Sequence, residues 1–159
     1  MEKITDLIEE NSKQHYHTLA IIVDSEIDKE KMENTTNFLI SLGWEAYNVE
    51  EVILNMLDEI PENKIKLRVN GEIKKWTYTL NKKSILTNSN ILSSDSLGTK
   101  GVLPTFKYLF RDEKEAIIFV DAKVRDNNTA YYSEPGKDDY QEYDLSEIIY
   151  IDINDIILD

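Results

Sequence analysis

Apolar and polar positions follow two rhythms along this chain. Ile4, Leu7 and Ile8 recur at helical spacing ahead of a polar stretch, 9–14, which predicts a short N-terminal helix. Residues 18–24 form a continuous apolar run closed by Asp24, the pattern of a central strand covered on both faces. Asp28 or Ser25 is placed to cap a helix reaching residue 42, with Met32, Phe38, Leu39 and Leu42 inward and Gly43 at its C-cap. A second strand follows over 44–49. Val49, Val52, Ile53, Met56 and Leu57 then make an amphipathic stripe that Pro61 stops.

The stretch 64–80 reads in two ways. Asn70-Gly71 between two runs of strand-forming residues signals a β-hairpin, and this is the preferred reading. Ile65, Val69, Ile73, Trp76 and Leu80 also fit a helix, with an interior glycine costing about 1 kcal/mol. Beyond it, 84–87 predicts a short strand, 88–100 a polar loop, and 102–110 a helix with Leu103, Phe106, Leu109 and Phe110 as its apolar face. Residues 116–121 predict a second buried strand, 129–133 an extended segment, 134–136 a turn and 148–153 the last strand. Strands alternating with helices predict an α/β fold: a mostly parallel sheet of about five strands with helices on both faces. No linker or repeat divides residues 1–159, so a single domain is expected.

Composition narrows the functions. No cysteine is present, which removes disulfides and thiolate chemistry and agrees with a reducing, cytoplasmic location. Residues 1–13 are charged throughout, and the longest apolar runs are far shorter than the roughly 18 residues a membrane span needs. Export and membrane insertion are therefore not expected. Thirty-one acidic residues against 18 basic ones give a net charge of −13, which repels phosphate backbones and makes direct nucleic-acid binding unfavourable. Frequent lysines (Lys29, Lys31, Lys74, Lys75, Lys82, Lys83) interrupt the acidic surface, so an acidic DNA-mimic inhibitor is a lesser alternative.

Four places carry candidate chemistry. The turn after the first core strand is where a phosphate loop would lie, with glycines to let amides wrap the anion. Here it offers Asp24, Ser25, Asp28, Lys29 and Lys31, without glycine and with acids facing any phosphate. Triphosphate binding is not expected there, and no cofactor is. Asp121-Ala122-Lys123 at a strand end, with Asp112 upstream, matches a magnesium-dependent nuclease pattern, an alternative that remains open. His15 and His17 have no second cluster of ligands, so a metal site is not expected. Around Pro135-Gly136 stand Tyr131, Tyr132, Tyr140 and Tyr143, the composition of an interface anchor or of residues packed at a sheet edge.

This last segment resembles the C-terminal signature of BrxF, the small P-loop protein of type 3 BREX phage-defence systems. The matching positions are Tyr132, Ser133, Pro135, Gly136, Asp139, Tyr140 and Tyr143. The upstream order agrees: a helix, the strand 19–23, Val49-Glu50-Glu51-Val52 opening a helix that ends near Pro61, and a strand near Ser84. The resemblance implies a P-loop NTPase-like fold. The family's glycine-rich loop would occupy 24–31 and is absent, and its Walker B carboxylate falls at Asn88. What the resemblance implies is a degenerate relative that keeps the fold without ATP turnover. Such a chain would serve as a non-catalytic accessory or adaptor subunit of an anti-phage complex, binding larger protein components of that system.

Overall fold

The computed structural model describes residues 1–126 and 128–159. The first half runs β1 (Glu2–Lys3), α1 (Ile4–Ser12), β2 (Thr18–Val23), α2 (Lys29–Ser41), β3 (Glu45–Asn48), α3 (Val49–Leu57) and α4 (Ile65–Tyr78). It continues through β4 (Lys83–Thr87), α5 (Val102–Phe106), β5 (Glu115–Asp121), β6 (Lys123–Arg125), β7 (Thr129–Tyr132), β8 (Gln141–Asp144), β9 (Ile149–Asp152) and β10 (Ile156–Ile157).

The unbroken apolarity of β2 has a simple cause: every one of its residues is buried. It sits inside a five-stranded sheet ordered β3-β4-β5-β2-β9, in which every pairing is parallel. Side chains alternate across the sheet. Ala20 and Ile22 face a core shared with Val49 and Ile53 of α3, Val69 and Ile73 of α4, and Leu103 and Phe106 of α5. Leu19, Ile21 and Val23 face the other side, with Ile4 and Leu7 of α1 and Leu39 of α2. Helices thus cover both faces, as the apolar pattern implied.

A second sheet, which the sequence pattern does not predict, is the antiparallel ribbon β6-β7-β8. Ala130 and Tyr143 turn its inner side into the core. Buried Lys107, just past α5, anchors it by donating to the Asp144 carbonyl at 2.9 Å. The last predicted strand is not the end of the chain's pairing, because β10 closes against β1.

Several local expectations are corrected. Residues 65–78 are helical, not a hairpin. Burying Val69 and Ile73 along one face stabilises by roughly 1.5–3 kcal/mol each, which outweighs the ~1 kcal/mol cost of Gly71. The helix predicted over 102–110 is only Val102–Phe106, followed by a turn that still buries Phe110. The loop 88–100 holds two short 3-10 turns, Asn90–Ser93 and Asp95–Leu97, that bury Leu92 and Leu97. Leu42 lies at the exposed end of α2 instead of in the core.

Tyr143, expected either as an interface contact or as packed at the sheet edge, is a core residue with 2% of its surface exposed. Its ring fills the space above Gly101, where a Cβ would lie 2.4 Å from the phenol oxygen. That oxygen is 3.4 Å from the Ser93 hydroxyl. Burial pushes the phenol above its ordinary pKa of 10.0, an effect the Ser93 contact partly offsets. A group whose pKa is raised by folding stabilises below its unfolded pKa and loses that contribution as pH climbs through the folded value.

Two measurements follow. Gly71 is exposed within α4, and an alanine methyl there would meet nothing within 4 Å, so Gly71→Ala is expected to raise stability by about 0.5–1 kcal/mol in urea unfolding. Stability should also hold to about pH 9.5 and fall above about pH 10 as tyrosines ionise in the unfolded chain. Tyr143→Phe should make that alkaline decline shallower, and an unchanged slope would refute the assignment.

Candidate functional site

In an open α/β sheet, ligand crevices form outside the C-terminal strand ends, where successive connections part. The connection from β2 runs to the β3 edge, whereas that from β5 runs the other way, toward β9. A cleft of about 270 Å³ opens there. The turn after β2 forms one wall, the end of β5 its floor, and the loop after β7 the opposite wall.

The turn residues account for their own donors. Asp24 N–H donates to the Asp28 carboxylate at 2.8 Å, and Glu26 N–H to the Asp24 carboxylate at 3.1 Å. Ile27 and Asp28 N–H groups donate to the Asp24 carbonyl at 3.1 and 2.8 Å. Ser25 N–H points at Asp121 Oδ1, a long contact of 3.5 Å. Five successive amides, the groups that would cradle a phosphate, are directed at the chain's own oxygens. Asp28 occupies the N-cap position of α2 but does not cap it with its side chain; buried to 6% exposure, it closes the turn instead.

Two candidate regions far apart in the sequence meet at Asp121. Its Oδ2 accepts from the Ser25 hydroxyl at 2.5 Å and from the Asn90 amide at 3.0 Å. The nuclease trio is not assembled. Asp112 precedes β5 at the opposite end of the strand, roughly 20 Å away, and lines a separate cleft with Tyr78 and Leu109. Lys123 does lie beside Asp121, exposed at the cleft mouth. Among the described residues no three His, Cys, Asp or Glu side chains are placed to share a metal ion. Lys29 is exposed, and Lys31 reaches Asn154 near the C-terminus, away from the turn. Asn88, the residue after β4, lies in the left-handed region at φ 52°.

The tyrosine segment divides by strand alternation. Tyr132 packs partly against the core, and Tyr131 lies on the outer face of the ribbon. Arg125, which no sequence motif singles out, lies 4.3 Å above the Tyr131 ring. It donates to the Glu142 carboxylate and the Tyr140 hydroxyl, both at 3.0 Å. Pro135 and Gly136 form the exposed tip between β7 and β8, with Gly136 at φ 91°. Beneath the tip, Ser133 donates to Asp139 at 2.7 Å. Burial first, and then the charges of Asp139 and Asp121, push the Tyr132 phenol upward in pKa.

Fold and cleft together define an α/β domain whose strand-end crevice is walled by acids and tyrosines. In comparison with known proteins, the chain matches no family model, no curated protein and no solved structure.

Asp28→Ala would remove the buried carboxylate that accepts from the partly buried Asp24 amide. A loss of about 1–3 kcal/mol in urea unfolding is expected. Asp28→Asn, which keeps an acceptor oxygen, should recover most of it.

Proposed function

We propose that the chain is a non-catalytic accessory subunit on a degenerate P-loop-like fold, acting by docking onto larger proteins. One observation carries this reading: the amides after β2 are directed at oxygens of the chain itself. A phosphate entering there would have to displace them against the charge of Asp24, Asp28 and Asp121. The resemblance to BrxF supplies the setting, an anti-phage complex whose larger components are the partners. The contact surface is the ribbon around half-buried Tyr131, Tyr132 and Tyr140, the first two of which line an open cleft. Tyr143 supports that surface from beneath. A magnesium nuclease has less support, since Asp112 and Asp121 lie at opposite ends of β5.

Two readouts test the proposal. Calorimetry with ATP and magnesium should give no saturable heat. Affinity capture of the full chain alongside its neighbour-encoded proteins should retain a larger partner, lost in the Tyr131→Ala, Tyr140→Ala double variant. The exposed Tyr78→Ala variant, whose ring borders a different cleft, should keep it. ATP binding, or capture indifferent to the tyrosine pair, contradicts the proposal.

A further inference from the structure

The strand-end cleft has features beyond its acidity. Its volume, about 270 Å³, suits one long side chain better than a folded segment. Tyr131 and Tyr132, on opposite faces of β7, both line it, and the Tyr131 ring already carries Arg125. The Tyr132 hydroxyl has no hydrogen-bond partner among the described residues and is half-buried at the cleft. Glu134 and Asp139 follow on the same segment as Tyr132, and among the described residues lining the cleft Lys123 is the one cation.

The chain itself shows what such a surface binds. Arg125 lies over Tyr131, 4.3 Å from the ring centre, while its two terminal nitrogens reach a carboxylate and a phenol oxygen. A guanidinium is planar, weakly hydrated and forked, so it can stack on a ring and pair with a carboxylate at once. A lysine ammonium satisfies only the charge. An anion would meet acids on every wall, and a metal ion lacks three converging side-chain ligands of the usual kinds among the described residues.

We infer that this cleft receives an arginine side chain of the partner protein, stacked on Tyr132 and paired with Glu134 and Asp139. The inference rests on the docking reading and names the chemistry the partner brings to it.

The test is an NMR titration of the full chain with the peptide acetyl-Gly-Arg-Gly-amide, with lysine and citrulline counterparts in parallel. The arginine peptide should give saturable shifts at Ser25, Tyr132 and Ser133 below about 10 mM, a range fitting a single side chain. The lysine peptide should bind about threefold or more weakly, and uncharged citrulline should leave these signals in place. Glu134→Gln with Asp139→Asn should weaken the arginine peptide roughly tenfold while thermal unfolding stays cooperative. Lys123→Ala, which removes the competing cation, should tighten it by about twofold. Absence of saturable shifts at the cleft, or citrulline binding as well as arginine, overturns the inference. If the peptide fails while partner capture still depends on Tyr131 and Tyr140, the arginine assignment falls and the docking reading stands. Peptide binding without tyrosine-dependent capture has the opposite meaning.

Discussion

A chain leaving a buried parallel strand must find acceptors for several amide N–H groups in quick succession. Phosphate-binding folds leave those donors free and let an anion complete them. In this protein Asp24, Asp28 and Asp121 supply the oxygens, from within the turn and from the neighbouring strand end. The remaining donors of the turn go to the Asp24 carbonyl. The turn is therefore complete without a ligand, and its charge disfavours an anionic one. The sheet order, the burial of Asp28 and the tie between Ser25 and Asp121 all serve that closure.

With the amides on one side of the strand-end crevice directed at the chain's own oxygens, its other wall becomes the distinguishing feature. The ribbon after β5 is held to the domain from below by Tyr143 and by the Lys107 ammonium. Its outer face is held by Arg125, which links Tyr131, Tyr140 and Glu142. These contacts hold the tyrosines in place, so in the proposed docking less side-chain freedom would be lost on binding. The proposed cationic guest rests on this pairing of tyrosines with a self-satisfied acidic turn.

Much of the sheet could be read from the chain because doubly covered strands need unbroken apolar runs. Residues 18–23 and 116–121 carried that signal, and Gly43 and Pro61 marked the helix ends. The ribbon was hidden for a related reason. Lys123 to Arg125 and Gln141 to Asp144 are short strands with exposed faces, so their sequences look like loop. At 64–80 the local turn signal of Asn70-Gly71 lost to long-range packing of Val69 and Ile73. The acidity of the turn was visible, but its internal bonding was not, because Asp121 lies 96 residues from Ser25. Packing at the sheet was one of two readings open for Tyr143, and its place against Gly101 decides for the core.

Amide hydrogen exchange at residues 24–28, followed by NMR with and without an excess of ATP and magnesium, tests the closed turn most directly. The account predicts slowed exchange at Asp24 and Asp28 in the free chain, where both amides have acceptors at 2.8 Å, and no change when nucleotide is added. Fast exchange in the free chain that becomes slow on adding nucleotide would contradict it.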